Sequence, residues 1–207
     1  VQMESFVRCF VLLYALYWLA GLGGLLLVRS GTRIGRRLEV YTWNSRIRSW
    51  HALPQFRYLF SAMHEKKYVS ASLLVMAFNL SMVVLQCILG LVLLSPLMAL
   101  GSGGFAGIII GQGRSRRFFV YAAATAVFEF GAFATSGALG MTVGTLWLLN
   151  GGGFVASIAT TVSQLGPYAL LPVLCLIANG LIEAAGPCFW DIDGVPGIEA
   201  YRSYTLK

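Results

Sequence analysis

Charged side chains are scarce in this chain. Lys, Arg, Asp and Glu make up 11% of its 207 residues, less than half of the roughly 25% found in an ordinary soluble domain. Apolar residues make up 57%, and a soluble monomer of this size has too large a surface to hide so many of them. The composition therefore excludes a soluble enzyme, a disordered chain and a secreted disulfide scaffold, and it predicts a polytopic membrane protein.

Residue types that bind metals or carry out catalysis are also few. The four cysteines form no Cys-x-x-Cys pair, and we interpret them as free thiols that pack like small hydrophobic side chains. Neither His51 nor His64 lies in an apolar run, and both aspartates, Asp191 and Asp193, fall in the tail. No nucleophile–base pair or zinc motif is therefore available inside a span. We predict a protein that is not an enzyme and that uses no metal or other cofactor.

Uncharged runs indicate the number of membrane spans, because an apolar helix needs about 20 residues to cross the hydrocarbon core. Run 9–28 is long enough for one span, run 68–113 for two, and the stretch from 118 to about 190 for two or three more. The sequence therefore predicts an all-α, polytopic transmembrane helical bundle with five or six spans, to which a basic amphipathic segment at the membrane interface is added.

Proline and glycine divide the long runs. Ser95-Pro96 separates a long helix from a short glycine-rich one, Asn150-Gly151-Gly152-Gly153 is a loop signal, and Gly166-Pro167 starts the last helix. The segment 139–149 is apolar but short before this loop. It either begins a span that ends near Ser163 or is half a helix that turns back, and we favour a real span.

Positive charge is concentrated in residues 29–67, which hold nine Lys and Arg against two Glu. Aromatic side chains that prefer the lipid head-group layer alternate with these arginines. We predict one or two helices on the membrane surface that contact anionic lipid head groups rather than nucleic acid; a plain cytoplasmic loop packed on the bundle is the equal alternative. The expected head-group contacts are Arg33, Arg36, Arg37, Arg46, Arg48, Trp43 and Trp50.

The same charges predict the orientation of the chain, because positive loops remain in the cytoplasm. Segment 29–67 and the turn with Arg114, Arg116 and Arg117 are separated by two predicted spans, so both should face the cytoplasm and the N-terminus should lie outside. The predicted organisation is an N-terminal transmembrane helix, a basic segment, a transmembrane bundle and a polar C-terminal tail. These parts cover residues 1–28, 29–67, 68–190 and 191–207.

Polar side chains inside the apolar runs are the candidate functional residues. Glu129 falls in the middle of a predicted span, where a carboxylate is costly, so we expect it to face the bundle interior, with Thr125 one turn away as a hydrogen-bond donor. The candidates can converge on one interior site for protons, ions or a substrate, or they can simply hydrogen-bond helices together. They are Glu129, Glu183, Thr125, Asn179, Asn79 and Gln86.

Small residues recur at a four-residue spacing in two places. In lipid, where no hydrophobic force drives helices together, such rows allow close contact between backbones. We therefore predict two faces for helix packing, of which the second requires an unbroken helix through Gly140. The first row is Gly103, Gly107 and Gly111, and the second is Ala132, Ser136, Gly140 and Gly144.

Over about residues 70–190 the chain resembles the stage II sporulation protein M family of bacterial and archaeal membrane proteins. The resemblance rests on Asn79 in a long span, a short glycine-rich helix, Glu129 followed by Gly131-Ala132, the run Ser136–Gly144, and Ile182-Glu183-Ala184. It implies an integral protein of a prokaryotic cytoplasmic membrane that lacks known catalysis. Members of the family act as scaffolds.

Three functions follow as hypotheses. The first is a non-enzymatic scaffold or assembly subunit that binds other membrane or envelope proteins, and glycine rows beside interior polar residues favour it. The second is a transporter or a proton- or ion-conducting subunit that uses Glu129 and Glu183. The third is an accessory subunit of a large bioenergetic membrane complex, which small size and helix content suggest.

Overall fold

The fold is helical throughout the part of the chain that the structure, a computed structural model, describes. That part is residues 2–113 and 115–190, apart from six side chains of the second helix (Trp43, Arg46, Ile47, Ser49, Trp50 and His51). Helices account for 91% of the structure, and the described residues contain no strand. The eight α-helices are α1 (Gln2–Arg29), α2 (Arg33–Ala52), α3 (Pro54–His64), α4 (Tyr68–Leu91), α5 (Ser95–Gln112), α6 (Arg116–Gly144), α7 (Phe154–Leu165) and α8 (Leu170–Phe189).

Four helical segments are long and apolar enough to cross a membrane. They are Gln2–Arg29, Tyr68–Leu91, Arg116–Leu149 and Phe154–Phe189. This confirms the all-α class and is compatible with an integral membrane protein, whereas the predicted five or six spans are not confirmed. The short glycine-rich helix α5, which the sequence counts as the second span of run 68–113, is not among the four.

Helix α6 lies at the centre of the bundle and packs against α1, α4, α5 and α8. Its residues 132–138 are all buried, and a helix that is buried on every side is in contact with neighbours all round. Because five of these seven residues are Gly, Ala or Ser, the neighbouring helices approach α6 closely. The main core surrounds this point and includes Leu13, Tyr17 and Phe133.

The segment 139–163 does not form the separate span that we favoured from the sequence. Helix α6 continues unbroken through Gly144 and ends in one π-helical turn, Thr145–Leu149. The polypeptide then turns at the Asn150–Gly153 loop and returns as α7, which a 3-10 turn, Gly166–Ala169, joins to α8. Two apolar stretches therefore belong to two different helices, because the glycine-rich loop ends the first of them.

The basic segment 29–67 forms two helices, α2 and α3. Helix α3 packs along the first half of α4, where Leu59, Phe60 and Met63 join a buried cluster with Val75, and the rings of Phe56 and Phe78 lie 4.9 Å apart. This part of the segment is therefore packed on the bundle. The polar tail that the sequence predicts at 191–207 lies outside the described residues.

Candidate functional site

A buried polar contact joins α1 to α4 in the middle of the bundle. The side-chain amide of Gln86 donates a hydrogen bond to the hydroxyl of Tyr17. Tyr17 is 0% exposed and Gln86 is 1% exposed, so water does not reach this bond from outside the bundle. The hydroxyl of Ser95, at the start of α5, donates to the backbone carbonyl of Gln86 at 2.8 Å and fixes the same turn of α4.

Glu129 on α6 belongs to this polar centre. Its carboxyl group lies within electrostatic reach of the Tyr17 hydroxyl, which also contacts the side chain of Ser102 on α5. The next residue, Phe130, stacks its ring on that of Tyr17 with the centroids 4.8 Å apart. This stacking orients Tyr17 so that its phenol group lies among polar side chains from three other helices. Glu129 itself is half-buried.

One polar atom of this centre is unsatisfied. The side-chain oxygen of Gln86 is buried and accepts no hydrogen bond within the described part of the chain. A buried amide oxygen without a donor is costly, by roughly 1–3 kcal/mol. The Gln86 side-chain oxygen can therefore accept a hydrogen bond from one more donor, such as a water molecule or a protonated carboxyl group.

A second polar group lies between α6 and α8. The Asn179 side chain donates to the Glu183 carboxylate at 3.4 Å, one helical turn away. The hydroxyl of Tyr121 on α6 donates to the backbone carbonyl of Glu183 at 2.6 Å. Asn179 is fully buried and its side-chain oxygen accepts no bond in the described residues. This group ties α8 to the first half of α6.

The structure thus distributes the predicted polar residues over two groups. Gln86 and Glu129 meet around Tyr17, and Asn179 meets Glu183. The Thr125 hydroxyl donates to the Ala122 carbonyl of its own helix at 2.9 Å, which differs from the donation to Glu129 that we expected. A threonine in a helix reaches back to a preceding carbonyl in this way because its hydroxyl lies close to its own backbone.

Asn79 lies on the buried face of α4, two turns before Gln86, with 4% of its surface exposed. Tyr17 is the central residue that the sequence did not point to. A tyrosine in an apolar run is most simply explained as an interface aromatic. The signal that could have found it is its place in the middle of run 9–28, far from either head-group layer.

The first row of small residues packs α5 on α1 in parallel. The glycines of the row follow the backbone of α1 turn by turn, with Gly103 against the Tyr17 carbonyl, Gly107 against the Gly21 carbonyl and Gly111 against Leu25. At Gly103 and Gly107 even a methyl group would collide with backbone atoms. The two helices therefore lie at backbone contact over more than two turns.

The second row packs α6 on α4, again in parallel. It is continuous because α6 passes unbroken through Gly140, as the prediction required. The Ser136 hydroxyl donates to the Val83 carbonyl at 2.6 Å, and Gly140 and Gly144 lie against the carbonyls of Cys87 and Leu91. Ala132, the first member, is fully buried.

Three of the predicted head-group residues lie together on α2. Arg33, Arg36 and Arg37 line an open groove, and Arg48 is exposed further along the same helix. The side chains of Arg46, Trp43 and Trp50 lie outside the description. In the described ranges, no three His, Cys, Asp or Glu side chains gather closely enough to hold a metal ion.

Comparisons of the chain with protein-family models, with curated proteins and with solved structures found no match. Function is therefore inferred from the chain's own geometry. Its chemical groups are a phenol, amides and carboxyl groups inside an apolar bundle, and guanidinium groups on one outer helix. The first set can hold helices together or hold a proton, and the second can bind anions.

Proposed function

We propose that this protein is a non-enzymatic, multi-span membrane subunit that assembles with other membrane or envelope proteins. The observation that carries the proposal is the backbone contact within two helix pairs, α1 with α5 and α4 with α6. Side chains normally keep helices 8–10 Å apart and let them slide slightly. At these glycines a Cβ would overlap the neighbouring backbone, so each pair is packed at backbone contact.

Close packing of this kind favours a scaffold over an alternating-access transporter. Transporters expose a site to each side of the membrane in turn by moving one bundle or repeat against another. Here α6 contacts both parallel pairs and also α8, so the central helix is held from several sides. A closely packed membrane bundle whose outer faces stay free for neighbours is what an assembly subunit needs.

The resemblance to the stage II sporulation protein M family supports the same proposal. Most residues that carry it lie on α6, from Glu129 through the run Ser136–Gly144, and this run forms the contact with α4. Residues that pack helices in this way serve a shape rather than a reaction. The proposal therefore includes membership of this scaffold family and a place in a prokaryotic cytoplasmic membrane.

A five-span topology follows from the same contacts and is part of the proposal. Helix α5 runs alongside α1 in parallel from Gly103 to Gly111. If α1 crosses the bilayer, then α5 lies inside the same hydrocarbon layer. Counted with the four apolar segments, α5 makes the fifth span. Both basic regions, 29–67 and the turn before α6, then lie at the cytoplasmic surface.

Crosslinking mass spectrometry in native membranes tests the assembly role. We expect crosslinks from exposed positions such as Lys66 and Lys67 to a small, reproducible set of membrane or envelope proteins. Purification in a mild detergent should retain at least one of them. A monodisperse lone monomer, with only intrachain crosslinks in the membrane, would contradict the proposal.

A proton- or ion-conducting role is the second candidate, and the half-buried Glu129 within electrostatic reach of the buried Tyr17 hydroxyl favours it. Carboxyl groups inside an apolar bundle are typical of proton relays in membrane proteins. Flux into liposomes that contain the purified protein decides between the two functions. Glu129→Gln and Glu183→Gln variants should abolish the flux if the carboxyl groups conduct; unchanged flux in both eliminates this candidate.

A further inference from the structure

We propose that the outer face of α2 binds the phosphate group of an anionic phospholipid. Three arginines line an open groove there. A phosphate is the ligand that a guanidinium recognises best, because its two N–H groups match two phosphate oxygens. The lining residues are Arg33, Arg36, Arg37, Val40, Tyr41 and Asn44.

The arginines need an anion because little in α2 balances them. Arg33, Arg36 and Arg37 are spaced by three and four residues, so they share one face of the helix and repel one another. Arg33 and Arg36 also lie in the first turn of α2, which lacks an acidic residue and carries the positive end of the helix dipole. A bound phosphate would offset both effects.

The acidic residue of α2, Glu39, does not face the groove. Helix α2 packs on the bundle through Gly35, which lies against the Leu27 carbonyl, and through the Glu39 backbone carbonyl, which accepts a bond from the Gln112 side chain at 3.2 Å. Thr42 on this same side is buried. With 3.6 residues per turn, the groove residues lie on the opposite side of the helix, pointing away from the bundle.

The position of the groove favours a lipid over a soluble phosphate. Helix α2 begins directly after the membrane segment α1, across the short Ser30–Thr32 turn. Exposed apolar side chains lie among the arginines: Ile34 is 65% exposed and Tyr41 is 72% exposed. Cationic and apolar groups side by side are typical of a helix at the head-group layer, where the tyrosine hydroxyl and the Asn44 amide add hydrogen-bond donors.

The lipid site requires only that the bundle lies in a membrane. It goes beyond the assembly role, and the two fail separately, because the lipid experiment uses purified protein without partners. The probe is phosphatidylglycerol, a phosphodiester lipid with one negative charge, and phosphatidylcholine is the neutral comparison. Native mass spectrometry of the full chain, released from detergent with each lipid titrated in, counts the bound molecules and gives their affinities.

We expect the wild-type protein to retain phosphatidylglycerol in preference to phosphatidylcholine. An Arg36→Gln/Arg37→Gln variant should bind phosphatidylglycerol about 25-fold more weakly, at about fivefold for each guanidinium. The matched control is Arg116→Gln/Arg117→Gln, which removes the same charge from exposed arginines at the start of α6 and should change the affinity by less than about twofold. Circular dichroism confirms that both variants keep their helices.

A third variant separates geometry from charge. Arg36→Lys/Arg37→Lys keeps the charge but loses the planar fork, so its affinity should fall between wild type and the glutamine variant. Equal losses in the groove and control variants, or equal retention of both lipids by the wild type, would overturn the proposal. Displacement of phosphatidylglycerol by millimolar inorganic phosphate would reassign the groove to a soluble anion and would also overturn it.

Discussion

The Tyr17–Gln86 hydrogen bond links α1 to α4 inside the bundle. Both side chains are buried in apolar surroundings, where a polar group that loses its partner finds no water to replace it. The measured worth of such bonds between membrane helices averages about 0.6 kcal/mol and reaches about 2. The loss of one partner therefore matters more than the loss of both.

A Tyr17→Phe variant should be less stable than wild type by about 1–2 kcal/mol, because it leaves the Gln86 amide without an acceptor. Gln86→Leu should cost less, about 0–1 kcal/mol, because it also removes the buried oxygen that has no donor. Unfolding in mixed detergent micelles with increasing sodium dodecyl sulfate measures both. Tyr14→Phe on the half-buried side of α1 is the control, and a larger loss for Gln86→Leu than for Tyr17→Phe would refute this account.

The residues of the polar centre were only partly predictable from the sequence. Gln86 and Glu129 stand out because amides and carboxyl groups are costly in hydrocarbon. Tyr17 does not stand out, since its ring counts as apolar and its hydroxyl becomes important only where α1 and α4 meet. Which helices meet, and at which height, is a property of the whole bundle and is not encoded in any one run of residues.

At the scale of helices, α5 offers a direct test of close packing because two of its glycines differ only in what surrounds them. At Gly107 an added methyl group would overlap the backbone of Gly21, whereas at Gly101 it would meet nothing within 4 Å. Gly107→Ala should therefore destabilise the protein by about 1–3 kcal/mol or more. Gly101→Ala should be neutral or stabilising by up to about 1 kcal/mol, since alanine favours helix.

The same detergent titration compares the two alanine variants. They share a helix, a residue type and a change in volume, so intrinsic helix propensity cancels between them. A difference of at least about 1 kcal/mol supports backbone contact between α1 and α5. Equal stability of the two variants would show that these helices do not touch at Gly107.

The ends of α3 and α4 share an unusual feature. Two residues after each end lies a residue in the left-handed backbone conformation, Lys66 with φ 54° and Leu93 with φ 60°. In both, the amide of this residue and the next amide bond back into the last turn, as Lys67 N–H does to the Ala62 carbonyl at 2.8 Å. Glycine normally fills this position, because other residues are strained there.

Lys66→Gly should stabilise the protein by about 0.5–1 kcal/mol. Relief of the left-handed strain is worth about 1–2 kcal/mol, and the greater freedom of glycine in the unfolded chain cancels part of it. Lys67→Gly is the control, because Lys67 has φ −80° and forms an ion pair with Glu65 at 2.5 Å. This variant should show no gain in stability. If Lys66→Gly lowers the midpoint of unfolding, the left-handed conformation of Lys66 is wrong.

Helix ends could be predicted where the sequence carries a common start or stop signal. Ser95-Pro96 starts α5 and the Asn150–Gly153 loop ends the long α6 segment, as their residue types indicate. The end of α4 at Leu91 was harder to predict, because Leu93 and not a glycine takes the left-handed position that follows it. The local sequence of 139–149 did not show whether this segment continues α6. The packing of α6 against α4 decides that the helix continues past Gly140.

At the scale of the whole molecule, the two parallel pairs fix which helix ends lie together. The Arg29 guanidinium, at the end of α1, lies over the ring of Phe119 at 5.7 Å, so the end of α1 and the start of α6 are neighbours. The Asn150–Gly153 loop lies at the far end of α6. A bundle of this shape in a membrane has both basic regions on one side and the loop on the other, which agrees with the positive-inside rule.

Cysteine labelling in sealed membrane vesicles tests the central claim most directly. Single cysteines replace Ser30, Arg116 or Asn150, all exposed at helix ends, in a background where the four native cysteines are alanine or serine. With a membrane-impermeant maleimide, we predict labelling at 30 and 116 only from the cytoplasmic side, and at 150 only from the opposite side. Equal labelling of all three from one side, or opposite sides for 30 and 116, would contradict a bundle that spans the membrane in this way.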